Sequence, residues 1–161
     1  MAIRQIVKEG DSVLAKKCRE VVKFDDRLAQ LIDDMIETLH ESGGVGLAAP
    51  QVGVIRRVVV IDVSKEKNQV IELVNPVIIE TDGEQERVEG CLSCPDEWGI
   101  TLRPNYVKVK AFDRHGNEFT VDGEELLAQA FCHELDHLDG VLFKQVAERM
   151  LTKAECEEMF G

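Results

Sequence analysis

The segment 133-HELDH-137 constrains this chain more than any other. It lies in 123-GEELLAQAFCHELDHLDG-140, which reads as a helix closed by Gly140. Residues four apart on a helix sit about 40° apart around its axis, so His133 and His137 share one face. One helical turn separates them, close enough for both imidazoles to hold one small cation. Glu134 stands beside the first histidine, where its carboxylate can take a proton from a water activated by that cation. The competing reading is a solvent-facing acidic helix with two incidental histidines. The same helix face continues through Ala130 and Leu126, an apolar patch that suits either an apolar substrate side chain or ordinary core packing.

A catalytic site of this kind needs a third protein ligand and one open position. A third histidine six residues after the second would continue a metzincin pattern, but that position is Phe143. Glu155, Glu157 and Glu158 lie downstream at the distance a thermolysin-like site would use, among 31 acidic residues. Cys91, in 89-EGCLSCP-95, is the better candidate. A thiolate binds zinc or ferrous iron strongly, and Gly90 and Leu92 read as a strand end delivering the side chain into a core. The alternative is a buried cysteine acting as a small hydrophobe.

Cys94 opens a further possibility, a closed structural zinc site of Cys91, Cys94, His133 and His137, catalytically inert because every position is filled. The spacing argues against it. Residues an odd number apart on a strand face opposite sides, and Leu92-Ser93 offers no glycine to ease a knuckle turn. Glu134 would also have no purpose there.

The rest of the chain fills in the fold. In 25-DDRLAQLIDDMIETLHES-42, Leu28, Leu31, Ile32, Met35, Ile36 and Leu39 form an amphipathic stripe, with Asp25 and Asp26 to cap it and Gly43-Gly44 to stop it. Next comes 44-GVGLAAPQ-51, which has neither helical nor strand period. Its glycines allow close backbone approach, and Gln51 offers an amide that can donate to a developing oxyanion. Strands are expected at Arg57 to Val63, Val70 to Glu80, Tyr106 to Phe112 and Glu118 to Val121, and a third helix at Thr152 to Phe160. Trp98 reads as part of a loop after Cys94. The order predicts an α+β fold, a single domain over 1–161. Mixed or antiparallel strands would surround a central helix carrying HELDH, with the amphipathic helix at the N-terminus.

A net charge of -12 repels phosphate backbones and anionic lipid headgroups, so neither nucleic-acid nor membrane binding is expected. Five cysteines are an odd number and too few for a disulfide scaffold. With no secretory signal at the start, a reducing cytoplasm follows. Cys18, Cys132 and Cys156 read as packing or surface residues.

The segments 44-GVGLAAPQ-51, 89-EGCLS-93 and 133-HELDH-137, in this order, resemble the peptide deformylase family, and the likeness extends over essentially the whole chain. The resemblance implies that Cys91, His133 and His137 hold one divalent metal, ferrous iron (Fe2+) first, with Zn2+, Ni2+ or Co2+ as alternatives. It implies Glu134 as general base and then acid, and the Gln51 side chain and Leu92 backbone N–H as oxyanion donors. Val45, Gly46 and Gly90 would align the peptide backbone, and Leu126, Ala130 and Val45 would wall a methionine pocket. The implied reaction is removal of formate from the N-formyl-methionine of nascent polypeptides. Members often carry an aliphatic residue where Cys94 stands, and often end in a longer helix that helps some of them bind the ribosome. Here the chain ends at Gly161, which implies at most a weak ribosome association. Two rivals remain from the sequence: a metal-dependent peptidase, and a deformylase-like protein that has lost activity.

Overall fold

Asp25 starts the first long helix. Its carboxylate accepts the Leu28 N–H at 3.1 Å, and Gly43, at φ 76°, ends the helix in a left-handed turn. This helix, α1 (Asp26–Ser42), has the extent that the apolar stripe predicts. The computed structural model describes residues 2–160. After α1 come β1 (Gly46–Ala48), β2 (Val58–Ile61), β3 (Ile71–Asp82), β4 (Gln85–Cys91), β5 (Cys94–Arg103), β6 (Tyr106–Phe112) and β7 (Glu118–Glu124). Helix α2 (Leu126–Leu138), the short α3 (Phe143–Val146), β8 (Arg149–Met150) and α4 (Lys153–Phe160) complete the chain.

The strands form two sheets, one of five in the order β1-β2-β3-β6-β7 and one of three in the order β4-β5-β8. Every pairing between these strands is antiparallel, which resolves the mixed-or-antiparallel expectation. Strand β2 explains how the layers stack. Its four residues are all buried. Val59 and Ile61 pack with Phe131, Leu135 and Leu138 of α2, while Val58 and Val60 pack with Leu31, Met35 and Leu39 of α1. Period-2 alternation thus sends successive side chains into two cores, and the five-stranded sheet lies between the two helices. Each of these large side chains contributes about 1.5–3 kcal/mol by leaving water.

Helix α2 begins three residues later than the pattern suggested. Strand β7 keeps pairing through Glu124, opposite Tyr106, so Gly123 belongs to the strand. A Cβ on Gly123 would lie 2.4 Å from the Leu127 side chain, so only glycine lets the helix fold back so tightly. At its other end, the Leu138 carbonyl accepts from the Cys18 N–H at 2.7 Å and from Arg57 Nη1 at 3.1 Å, which anchors the last turn of α2.

Several elements differ from the sequence reading. The hairpin β4–β5 was not expected; its strands are half-buried and carry acidic residues, so they lack a clean apolar alternation. Trp98 lies within β5, opposite Gly90, and not in a loop. The loop 44–51 contributes strand β1, too short for a period to register. Helix α4 starts at Lys153, where Thr152 and Glu155 cap one another: the Glu155 N–H donates to the Thr152 hydroxyl at 3.1 Å and the Thr152 N–H to Glu155 at 2.9 Å. Among the described residues, no helix is long and apolar enough to cross a membrane.

Candidate active site

Helix α2 points His133 and His137 toward the end of β4, where Cys91 sits at the tip of the hairpin. Cys91 Sγ is 3.3 Å from His137 Nε2, and His137 Nε2 is 3.2 Å from His133 Nε2. All three donor atoms lie within 4.8 Å of one another. His133 and His137 are buried and Cys91 is half-buried. The His133 ring donates through Nδ1 to Glu89 at 2.6 Å, which leaves a lone pair on Nε2. Two ring nitrogens and a sulfur aimed at one point make poor partners for each other, but they suit a divalent cation of the zinc or ferrous class.

The other candidate ligands lie elsewhere. Glu155 is bound to Arg149 by two contacts of 2.9 Å, and neither it, Glu157 nor Glu158 is grouped with the histidines. Cys94 also stands outside the group, which removes the closed four-ligand reading, although not because its side chain points away from Cys91. Leu92 and Ser93 form a tight turn without glycine, and Cys91 and Cys94 are directly opposed across it. Neither turn residue needs a positive φ, so no glycine is required.

Glu89 is the residue that the motif reading quoted without giving it a role. Its carboxylate is buried and accepts five hydrogen bonds. These come from His133 at 2.6 Å, from Arg103 at 2.6 and 3.1 Å, from Thr101 at 2.8 Å and from Gln129 at 3.3 Å. Arg103 is in turn tied to Asp136 at 2.9 Å. Burial raises the Glu89 pKa, but the bonds and charges of His133 and Arg103 outweigh it and hold the carboxyl well below the usual range. An anchored carboxylate of this kind fixes the ring and tautomer of a metal-binding histidine. The sequence clue was that Glu89 and the Arg103 that pairs with it are charged residues inside segments that also carry core positions.

Glu134 faces the same point from α2. Its Oε2 lies 3.9 Å from His133 Nε2, and its Oε1 is buried with no hydrogen-bond partner among the described residues. Burial pushes its carboxyl up to about 7. Burial also lowers His133, but the charges of Glu134 and Glu89 bring it up overall, while burial and His133 push His137 down to about 3. Contact with Cys94, burial and the Glu134 charge all push the Cys91 thiol up. The pattern is a dry pocket in which an uncompensated charge is costly for carboxyl, thiol and imidazole alike. A divalent cation bound there would favour the charged forms of its neighbours and displace the thiol proton.

Gly46 explains how Glu134 is held. A Cβ at this position would sit 2.6 Å from Glu134 Oε2 and 2.8 Å from its Cγ, so β1 presses directly on the carboxylate. Gln51 is fully buried. Its Oε1 accepts from the Ala48 N–H at 2.9 Å, and its Nε2 donates to the Ser93 hydroxyl at 3.1 Å and approaches Cys91 Sγ at 3.6 Å. The amide is therefore aimed at the cluster by both of its ends.

These groups open onto a cleft of about 450 Å³. Val45, Gly46, Gly90, Leu92, Leu126 and Ala130, all expected at the site, line it together with Gln51, Cys91, His133 and Glu134. His137 lies deeper and is fully buried. Strands β1 and β4 are both at the edge of their sheets, so each presents an unpaired backbone edge. Gly90 is required by Trp98, whose ring lies 2.4 Å from where a Cβ would be; that ring also lines the cleft and packs on Phe160 at 4.6 Å.

Comparison with known proteins gives one family. Residues 3–153 match the family described as polypeptide deformylase. A peptide deformylase of Lachnoclostridium phytofermentans is 59% identical over 143 residues, 89% of this chain and 88% of that protein. One from Caldicellulosiruptor bescii is 52% identical over 158 residues, 98% of this chain and 93% of that protein. Among solved structures, a peptide deformylase from Legionella pneumophila superposes with TM-score 0.88 at 43% identity, covering 98% of this chain and 90% of that one. That of Thermotoga maritima gives TM-score 0.87 at 39% identity, covering 92% and 99%.

Proposed function

The chain belongs to the peptide deformylase family, a hydrolase removing the formyl group from N-formyl-methionyl nascent polypeptides, and on that premise we propose how its own residues carry the reaction. Cys91, His133 and His137 would hold one divalent metal: cysteine and histidine donors suit zinc and ferrous iron alike, and it is the family resemblance that puts ferrous iron first, with zinc, nickel or cobalt as alternatives. When bound, the metal supplies Lewis acidity, lowering the pKa of water and polarising a carbonyl oxygen. The observation that carries this reading is the convergence of the three donor atoms within 4.8 Å beside a buried carboxylate that lacks a full set of partners.

Glu134 takes the proton of the attacking water and then passes it to the leaving amine. Burial raises this carboxyl above an exposed glutamate, which makes it a better proton carrier for both halves of that task. The formyl oxygen gains negative charge in the transition state. The Gln51 amide and the Leu92 N–H donate to it, the amide being held in place by its bonds to Ala48 and Ser93. The substrate backbone lies as an added strand between the open edges of β1 and β4, with Val45, Gly46 and Gly90 as its hydrogen-bonding partners. Leu126, Ala130 and Val45 receive the methionine side chain.

The catalytic unit is one domain over 1–161. Its partner is the N-formyl-methionyl peptide or nascent chain, met in a weak association with the ribosome, and its compartment is the cytoplasm, in keeping with five free cysteines and a net charge of -12. Formyl-Met-Ala-Ser separates the rival activities. Formate is released and the Met-Ala bond stays intact; peptide cleavage without formate would establish a peptidase instead. No product of either kind from metal-loaded protein would establish an inactive relative. Metal analysis of anaerobically purified protein identifies the ion.

A further inference from the structure

Cys94 has no part in the reaction above, yet its placement is specific. It is directly opposite Cys91 in the β4–β5 register, across the two-residue turn of Leu92 and Ser93. Directly opposed residues of an antiparallel pair carry their side chains on one face, with Cα atoms about 4.5–5.5 Å apart. A disulfide spans Cα atoms about 4.4–6.8 Å apart. The two thiols are free and the turn between them is already closed, so a bond between them needs no rearrangement of the sheets. Exposure divides the roles. Cys91 is half-buried at the cleft, whereas Cys94 is 1% exposed beneath the turn. A small oxidant that enters the cleft meets the more exposed Cys91 first, while Cys94, which also borders the cleft, is almost wholly covered. Of the other cysteines, Cys18 and Cys132 belong to the hydrophobic core and none of the three is grouped with either thiol.

We propose that Cys91 and Cys94 form a reversible redox pair, in which a peroxide oxidises Cys91 and Cys94 resolves it as an intramolecular disulfide. The Cys91 sulfur attacks one peroxide oxygen; the O–O bond breaks, the sulfur keeps that oxygen as a sulfenic acid and the other oxygen leaves as hydroxide. The Cys94 sulfur then attacks the Cys91 sulfur. The S–O bond breaks and the oxygen departs as water, using the Cys94 proton. Two thiols lose two electrons, hydrogen peroxide becomes two waters, and a dithiol reverses the bond. Resting on the reading of Cys91 as a metal ligand, the consequence is that the disulfide releases the metal, and that Cys91 is spared the further oxidation that no thiol can undo.

Metal-loaded protein treated with dilute hydrogen peroxide tests this. Both cysteines fall in one tryptic peptide between Arg87 and Lys108, so the crosslink is read directly as the loss of two hydrogens in unreduced digests. The parent is expected to show that peptide and to recover most of its formate release after dithiothreitol and fresh metal. Cys94→Ser and Cys94→Val, two variants in case one packs badly, should match the parent in resting metal and activity. After peroxide, their Cys91 peptide should carry two or three added oxygens and their recovery should be about tenfold lower. Oxygenated Cys91 without a crosslink in the parent would overturn the proposal, as would equal recovery in both variants. Loss of resting metal in both variants would place Cys94 in the ligand set and overturn it too. The peptide map needs no metal, so it still reports the crosslink should the metal assignment itself fail.

Discussion

Glu89→Gln removes one charge and almost no volume at the centre of the buried network. In the parent, the carboxylate neutralises Arg103, whose side chain is 8% exposed, through contacts of 2.6 and 3.1 Å. The glutamine presents an NH2 group to some of the five donors that the carboxylate accepts, and it leaves Arg103 with Asp136 alone, a partner that is 33% exposed. Breaking a buried pair by removing one partner costs about 3–5 kcal/mol. For a domain of this size, about 2–4 °C per kcal/mol makes this a fall in Tm of roughly 6–20 °C. The lost partner of His133 should also weaken metal binding by about 10- to 100-fold. The sign with pH follows from the depressed Glu89 pKa: its stabilisation is complete above the unfolded carboxylate value of about 4.3 and is lost as pH falls below it. The gap between parent and variant should therefore be constant near neutrality and shrink in acid. Thermal denaturation of metal-free protein across pH, with metal titration against a competing chelator, measures both effects. A variant within about 2 °C of the parent at pH 7, with metal affinity within about threefold, would refute the assignment of Glu89 as the anchor of His133.

Three further outcomes are expected. Glu134→Ala should keep its metal and lose about 10²- to 10⁴-fold in kcat, measured by formate release; near-parental turnover would remove it as the base. Gly46→Ala places a methyl where the Glu134 carboxylate lies, so kcat should fall by about 100-fold with metal content unchanged, and a normal kcat would show that β1 yields freely. Leu126→Glu, on the cleft wall, should lower kcat/KM for formyl-methionyl peptides by at least about tenfold, and an unchanged value would take Leu126 out of the methionine pocket.

The residues that the fold gathers at the candidate site are legible in the sequence because each stands in a short segment whose chemistry is local. His133, Glu134 and His137 need only the helical period, and α1 announces itself by stripe and caps. What the sequence concealed depends on distant pairing. Strands β4 and β5 carry no clean alternation because their half-buried faces border a cleft, so neither the hairpin nor the placement of Trp98 within it could be read. The opposition of Cys91 and Cys94 is hidden because the segment between them reads as strand and is a turn. Glu89 and Arg103 meet from positions 14 apart, and only the β4–β5 register brings them together.

The two unpaired edges that flank the cleft have a further consequence. An open strand edge ordinarily invites another sheet to dock and so begins aggregation. Here β1 and β4 both border one cleft, with Gly46 and Gly90 in its lining, so their edges face a recess and not open solvent. In the proposed binding mode it is a single extended chain end that adds to these edges. On this reading the enzyme discriminates by the folding state of its substrate as well as by sequence. An N-terminus already committed to its own tertiary structure has no free strand to offer, and deformylation becomes an event with a deadline set by how fast the new protein folds.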